Sequence, residues 1–376
     1  MNRLLIYFFV LSSVNNLCYG DDIFPNIPER HLPLIRTIPT QEGIILETRG
    51  APINGDPIPS QDGTHQIEVG VFNLSNNSES DWDLPSNILK IDMTAYYNYS
   101  DKIASWASKS GQLILASHDS INLINRDGSY TKPNIKISRQ YSDDSDSLAY
   151  RAISQDSQYI AYYKIHTGLM YQKLDGSEPI SIPILQGGAY PDWSPDNTML
   201  AFADKFKILV VSDLKGRVIF SIDPPFKETN APQHADFAIE EIRWSPRGDK
   251  IGFIVYESYW KVQNAIEKQF FIPSQTIRES FYTINTDGTS LERIKVGNND
   301  IDVNTFAWSP SGMKIAFRSD YDKQKICGHN LSFLIEASHL PCRDGYYLYT
   351  SNTDGSDVKR ISKEPEYRKS ELFWIQ

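Results

Sequence analysis

The sequence predicts an all-β protein, a six-bladed β-propeller whose blades are four-stranded antiparallel sheets. Three observations favour this fold class. A Trp-Ser-Pro motif before an apolar strand recurs along the chain, an Asp-Gly hairpin signal recurs in phase with it, and the C-terminus repeats the first strand of a unit and then stops. Repeating units of four short strands, each with its own turn signals, are typical of propeller blades.

The turn motif has three clear copies. They begin at Trp193, Trp244 and Trp308 and lead into the apolar strands at 199–202, 250–253 and 314–317. Two weaker copies begin at Ile153 and Ala107. The hairpin signal stands at Asp127-Gly128, Asp175-Gly176, Asp287-Gly288 and Asp354-Gly355, with Lys215-Gly216 in the same place of another unit. Asp-Gly supplies the positive φ angles of a tight hairpin and Pro presets the other turn, so each unit is predicted to contain four strands.

The two ends of the chain are predicted to share one blade. The segment 372–375 matches the first strand of a unit, and the missing outer strands are expected from 43–47, 66–72 and 88–91. This mixed blade and five continuous blades make six. Pairing of the chain ends also leaves no open sheet edge in the ring.

The Trp-Ser-Pro-(Asp/Ser/Arg) turns followed by Lys-Ile-Ala-Phe resemble the WD-like repeats of the TolB propeller family. The resemblance covers nearly all of the chain that follows the N-terminal 20 residues, and it implies the propeller fold without implying a function. TolB itself carries an α/β domain before its propeller. Only about 20 residues, Asp21 to Gln41, precede the first predicted strand here, so the expectation is a propeller of this family rather than TolB.

The N-terminus is predicted to be a cleavable secretory signal. Arg3 is followed by an apolar run over residues 4–11 and by small residues up to Gly20, the pattern of a signal peptide at 1–20. Leu17 before Cys18 does not fit a lipoprotein signal. We therefore expect a periplasmic or extracellular protein with an extended segment at 21–41 and a single propeller domain at 42–376.

Charge and motif content limit the possible partners. The formal charge is −10 without a basic cluster, which argues against nucleic acid and anionic lipid as partners. No later stretch is long and apolar enough to span a bilayer. The motifs of serine hydrolases, zinc proteases, phosphate loops and dinucleotide sites are missing from the sequence. We predict no catalytic residues, no cofactor, no metal site and a monomeric protein.

Two cysteines remain once the signal is removed. Cys327 and Cys342 form an even pair, and in an oxidising compartment a disulfide is expected. The alternative is that the two cysteines are ligands of a metal site, because His329 and His339 lie between them in the sequence.

The long connections are predicted to lie on one face of the propeller, which we call the long-loop face. They are expected at 51–65, 139–147, 223–239, 256–280 and 320–345, whereas the Ser-Pro and Asp-Gly turns share the opposite, tight-turn face. Long segments in a compact domain are often functional. The predicted partner-binding residues are the aromatic ones of one such segment: Tyr256, Tyr259, Trp260, Phe270 and Phe271. A small satellite core that covers the end of the blade is the alternative.

The sequence therefore predicts an exported, non-enzymatic scaffold that binds a protein or envelope partner through its long-loop face. A metal-dependent enzyme acting on a carbohydrate is the alternative, because some propeller enzymes of this type, such as oligogalacturonate lyases, hold a metal with histidines. The histidines assigned to the long-loop face are His65, His118, His166, His234, His329 and His339. Two acidic segments, 143–146 and 298–302, could also offer oxygen ligands to calcium, although neither has the form of a dedicated calcium loop.

Overall fold

A computed structural model gives the fold of the chain. It describes residues 32–50, 64–84, 90–92, 104–107, 109–116, 120–136, 149–164, 168–183, 188–205, 208–223, 235–261, 274–296, 302–319, 346–363 and 370–375. Within these ranges the strands form six sheets, which we number as blades 1 to 6 in chain order. The predicted fold class, an all-β six-bladed propeller, is confirmed.

The N-terminal strands of blade 1 are β1 (Leu34–Ile35), β2 (Ile44–Gly50), β3 (Thr64–Asn73), β4 (Ser78–Trp82) and β5 (Lys90–Asp92). Blade 2 contains β6 (Ala104–Ala107), β7 (Gln112–Ala116), β8 (Ser120–Ile124) and β9 (Tyr130–Lys136). Blade 3 contains β10 (Ala149–Ile153), β11 (Tyr159–Lys164), β12 (Gly168–Lys173) and β13 (Ile180–Ser181). Blade 4 contains β14 (Ala189–Trp193), β15 (Met199–Asp204), β16 (Ile208–Asp213) and β17 (Val218–Ile222).

Blade 5 contains β18 (Ala235–Trp244), β19 (Lys250–Lys261), β20 (Ser274–Asn285) and β21 (Glu292–Arg293). Blade 6 contains β22 (Thr305–Trp308), β23 (Lys314–Ser319), β24 (Tyr347–Asn352) and β25 (Lys359–Arg360). The last strand, β26 (Ser370–Ile375), returns to blade 1. The first strand of each continuous blade and β26 of blade 1 contact one another around a closed ring, so these six strands line the centre of the propeller.

The chain ends close the ring as predicted. Strand β26 pairs antiparallel with β2, with Ile375 opposite Ile44 and Leu372 opposite Glu47. The predicted outer strands of this blade were partly wrong. Strand β4 pairs along β3, while the expected strand near 88–91 is β5, which pairs only with the first residues of β3. Strand β1 lies parallel to β4, so the first strand begins before residue 43 and inside the segment that was expected to be extended.

The repeated tryptophans pack between neighbouring blades. Trp193 Nε1 donates to Ala152 O of blade 3 at 3.1 Å, and Trp308 Nε1 donates to Arg243 O of blade 5 at 3.1 Å. The small residue in the Lys-Ile-(Ala/Gly)-Phe strand gives the next tryptophan room. A Cβ on Gly252 would come within 3.0 Å of the Trp308 ring, which explains the third position of this motif.

The repeat in blade 2 was assigned one residue out of phase. Trp106 pairs with Leu113, and Trp308 pairs with Ile315, so the two pairs have the same spacing along the chain. Trp106 therefore holds the tryptophan position that was assigned to Ala107. The turn has the same length in both blades, but its glycine stands one position later in blade 2, because Gly111 N donates to Ala107 O, four residues back, whereas Gly312 N donates to Ser309 O, three residues back.

Candidate functional site

The hairpins of the tight-turn face share a pattern of hydrogen bonds within the turn. In the hairpin of blade 5, Gly288 has a φ of 83° and its N–H donates to Asn285 O at 2.9 Å. The Asp287 carboxylate accepts bonds from both the N–H and the hydroxyl of Thr289. These bonds hold the pKa of Asp287 below its usual range, first through the hydroxyl and then through the N–H.

The same arrangement recurs around the ring. Asp127, Asp175 and Asp354 each accept bonds from the N–H and the hydroxyl of the serine two residues later, and the pKa of each carboxyl is lowered chiefly by that hydroxyl. Nearer the centre, Lys109 Nζ donates to Pro195 O at 2.8 Å and so joins the turns of blades 2 and 4. The tight-turn face is therefore a set of short, internally bonded turns.

Among the residues that the structure describes, the strands that reach the long-loop face are longest in blade 5. Strands β19 and β20 have 12 residues each, whereas β15 and β16 of blade 4 have six each. The added parts are Tyr256–Lys261 and Ser274–Glu279, and the start of β18 at 235–238 pairs beside them. We call these three segments the blade 5 extension. The prediction of loops at 223–239 and 256–280 was therefore wrong for 235–239, 256–261 and 274–280, where antiparallel pairing satisfies the backbone.

The predicted binding residues occupy different places in this extension. Tyr256 is half-buried and lies opposite Glu279 in the strand register. Tyr259 and Trp260 lie opposite Thr276 and Gln275. Because successive strand positions alternate between the two sheet faces, Tyr256 and Trp260 hold positions on one face and Tyr259 on the other. Phe270, Phe271, Cys327 and Cys342 lie outside the described residues.

The face that carries positions 256 and 260 is the side toward blade 6. Ile254 stands two positions before Tyr256 on the same sheet face, and its partner across the strands is Phe281. Both side chains pack against Phe306 and Trp308 of blade 6. Val255 lies on the other sheet face and packs in the cluster shared with blade 4. The predicted aromatic group is thus divided, and the position of Trp260 belongs to the side that is continuous with blade 6.

The base of the extension is bonded to blade 6 through Glu279. Asn304 Nδ2 donates to both carboxylate oxygens of Glu279, at 3.2 and 3.0 Å. Glu279 N donates to Asp302 Oδ1 at 3.2 Å, and Val303 N donates to Glu279 O at 2.9 Å. Asp302, the last residue of the acidic segment 298–302, accepts a backbone bond at this junction, and the rest of that segment lies outside the described residues.

A buried ion pair continues the connection from blade 6 to blade 1. The carbonyl oxygen of Arg318 in β23 accepts a hydrogen bond from Asn304 N at 2.9 Å. The guanidinium of Arg318 binds the carboxylate of Glu47 in β2, with Nε to Oε1 at 2.6 Å, and both side chains are fully buried. Its Nη1 donates to Tyr346 O at 2.9 Å. Arg318 and Tyr346 stand on either side of the segment 320–345, so this hydrogen bond connects the residues at which that segment begins and ends.

Glu279, Asp302, Asn304, Arg318 and Glu47 therefore form one chain of contacts across blades 5, 6 and 1, which we call the inter-blade network. Sequence reasoning missed it, because the two charged partners are 271 positions apart and neither belongs to a motif. Removing one partner of a buried ion pair strongly destabilises a fold, because the other charge is left buried without compensation. The network can hold three neighbouring blades in register at their long-loop ends.

A second polar cluster lies on the central strands. Arg243 Nε donates to Glu241 Oε1 at 2.7 Å, and its Nη1 donates to Leu372 O of blade 1 at 2.7 Å. The guanidinium lies 5.4 Å from the ring centre of Phe373 and 6.0 Å from that of Phe306. The side chain of Arg243 thus connects blade 5 with blades 6 and 1 at the centre of the ring, and its donors have structural partners.

The described residues offer few candidates for acid–base or metal chemistry. Burial, with the charge of Glu178 as a smaller cause, raises the pKa of Tyr162 to about 12, which keeps this phenol neutral. Among the residues that the structure describes, no group of three or more His, Cys, Asp or Glu side chains is placed to hold a metal ion. His65 lies in β3 opposite Ile91 rather than in a loop. His118, His166, His234, His329 and His339, and the acidic segment 143–146, lie outside the described residues.

The described part of the chain contains no helix that is long and apolar enough to cross a membrane. No family model matches the sequence, and no curated protein does.

Solved structures that are similar to the chain match it at low sequence identity and with TM-scores below 0.5. A putative TolB from Agrobacterium tumefaciens is 14% identical with a TM-score of 0.47, over 86% of this chain and 89% of that chain. Hydrazine synthase from Kuenenia stuttgartiensis is 14% identical with a TM-score of 0.43, over 84% of this chain and 100% of that chain. An oligogalacturonate lyase from Vibrio parahaemolyticus is 10% identical with a TM-score of 0.41, over 79% and 74% of the two chains. The strand order of the chain itself defines its class, the six-bladed β-propellers.

Proposed function

We propose that this protein is an exported, non-enzymatic scaffold of the TolB-like propeller type that binds a protein or cell-envelope partner through its long-loop face. The observation that carries the proposal is the blade 5 extension together with the inter-blade network at its base. The repeat does not require the extension, because blade 4 forms a complete blade without it. Added structure on one face of a rigid scaffold is where binding functions are commonly located.

The network supports a shared surface rather than isolated loops. Glu279 connects the extension to blade 6, and Arg318 connects blade 6 to Glu47 in blade 1. Three blades whose long-loop ends are held in register lose little conformational freedom on binding, which favours affinity. Trp260 is the anchor we propose, since a large ring contributes contact area with few rotatable bonds.

Export and the redox state of the cysteines belong to the same proposal. The signal at 1–20 would direct the chain to the periplasm or outside the cell, where Cys327 and Cys342 would be bridged. The competing hypothesis of a metal-dependent enzyme rests on histidines outside the described residues, and no described contact favours it.

The test compares two tryptophans. The mature chain serves as bait for extracts of the host envelope, and recovered proteins are identified by mass spectrometry. We expect Trp260→Ala to weaken capture by about 2 kcal/mol or more with little change in melting temperature. Trp244→Ala, in the core between blades 4 and 5, is expected to destabilise the fold by about 3–5 kcal/mol.

Met313→Ala is the matched control, since Met313 is 63% exposed but stands in a turn of the tight-turn face. Capture that falls equally with Met313→Ala would place the binding surface elsewhere. If Trp260→Ala lowers the melting temperature as much as Trp244→Ala does, the extension is a satellite core and the proposal fails.

A further inference from the structure

The outer strands of the blades differ in how their free edges are protected. An outer strand presents unpaired N–H and C=O groups, and proteins usually shorten such strands or place charge or proline in them. Strands β21 and β25 have two residues each, all charged, and β13 also has two. Strand β9 is longer, but it contains Lys132, Pro133 and Lys136.

Strand β17 has none of these protections. It is the last strand of its sheet within the described residues and has five residues, Val-Ile-Phe-Ser-Ile, without charge or proline. Val218 and Ile219 are 45% and 43% exposed. A β-branched, uncharged edge of this length is suited to pairing with another strand.

The edge is also held in a fixed conformation. The Asp213 carboxylate accepts bonds from Lys215 N at 3.0 Å and from Arg217 N at 2.9 Å, which shape the hairpin before β17. A Cβ on Gly216 would come within 2.8 Å of Pro183 in the connection that follows blade 3. The start of β17 is therefore packed against the neighbouring blade, and little ordering would be needed when a partner strand pairs with it.

The charges around β17 are complementary to those of a second copy. Lys215 and Arg217 precede the strand, and the exposed Asp223 follows it. Arg217 also pairs with Asp213 of its own hairpin, with Nε to Oδ2 at 3.2 Å, so this end of the strand keeps one net positive charge. In an antiparallel pair of two β17 strands, the basic end of each copy meets the acidic end of the other. A parallel pair would instead place like charges side by side, which is unfavourable.

We propose that two copies of the protein associate through antiparallel pairing of their β17 strands, which joins the blade 4 sheets into one continuous sheet of eight strands. Such an interface is isologous, because the same surface is used by both copies. One strand pair buries less area than a standard stable interface, so the dimer is reversible and forms at high protein concentration. The inference is independent of the proposed partner-binding function, and it differs from the monomer that the sequence predicts.

Sedimentation velocity of the mature chain over a concentration series tests the proposal. We expect a concentration-dependent dimer. Ile219→Lys should weaken it by about tenfold or more, because the lysine enters both halves of a symmetrical strand pair. Ile180→Lys is the matched control, since Ile180 is 51% exposed on the outer strand of blade 3, and it should leave dimerisation unchanged.

A charge exchange tests whether the charges at the two ends of β17 hold the copies together. Asp223→Lys and the double variant Lys215→Glu with Arg217→Glu should each dimerise poorly alone and associate with each other when mixed. Melting curves establish that each variant is folded. A monomer at all concentrations, or a dimer that Ile219→Lys leaves intact, would overturn the proposal. Equal weakening by Ile180→Lys would also overturn it, as would failure of the charge-exchanged variants to associate.

Discussion

Blades 4 and 5 are neighbours with the same repeat but different lengths. Both begin with an inner strand that contains a bulge, at Tyr190 and at Glu241, and both carry a Trp-Ser-Pro turn. Their second and third strands run in the same register until Asp204 in blade 4, where the pairing ends. In blade 5 the pairing continues for six more residues on each strand. The blade core and the extension are therefore separable parts, one required by the ring and the other added to it.

The largest effect is expected from damage to the ring that both blades share. Deleting the last six residues removes most of β26, whose Leu372 and Ile375 are buried. It also removes the carbonyl that accepts from Arg243. We expect unfolding or aggregation, because β2 and the inner strands of the neighbouring blades lose their partner. Circular dichroism and size-exclusion chromatography measure this effect, and a truncated form with an unchanged melting curve would contradict ring closure by β26.

An intermediate effect is expected at the base of the long-loop face. Glu47→Gln leaves the buried Arg318 without its carboxylate and should destabilise the fold by about 3–5 kcal/mol. The double variant Glu47→Leu with Arg318→Met should recover most of this loss, because no buried charge remains. Urea unfolding measures the differences in free energy.

The exposed pair of Arg217 and Asp213, with Nε to Oδ2 at 3.2 Å, is the control for the buried pair. Arg217→Ala should cost about 0–1 kcal/mol. An equally small effect of Glu47→Gln would show that the inter-blade network does not hold blades 6 and 1 together.

A smaller effect is expected from the turns of the opposite face. The lowered pKa of Asp127, Asp287 and Asp354 means that their contribution to stability is complete above the unfolded pKa, near 3.9. It is lost as the pH falls through the lower folded pKa. Melting temperatures measured from about pH 6 down to pH 3 should fall less steeply for the triple Asp→Asn variant than for the unaltered chain. Equal pH profiles for the two proteins would show that these turns do not contribute.

The sequence predicts those parts of the molecule in which a local motif determines the structure. Trp-Ser-Pro and Asp-Gly specify turns within a few residues, and the C-terminal match to the first strand of a unit predicts the ring closure. The phase error at Trp106 arose because the glycine of the blade 2 turn stands one position later than the glycine of the blade 6 turn. Strand β4 was missed because Ser-Glu-Ser-Asp-Trp is too polar to suggest a strand.

The candidate site was less predictable than the fold. Residues 256–260 are rich in aromatic side chains but do not alternate polar and apolar residues, so they suggested a loop rather than a strand. The pairing of Glu47 with Arg318 depends on the closed ring, and no local pattern signals a contact between residues 271 positions apart. Long-range polar contacts of this kind become visible only once the blades are assembled.

The central claim is that the blade 5 extension serves binding and not folding, and removal of the extension tests it directly. Residues 257–278 are replaced by the three residues that separate β15 from β16 in blade 4, which leaves Tyr256 and Glu279 in place. The account predicts a folded protein with an unchanged melting temperature that no longer captures the partner recovered with the full chain. A shortened protein that still captures this partner, or one that does not fold, would contradict it.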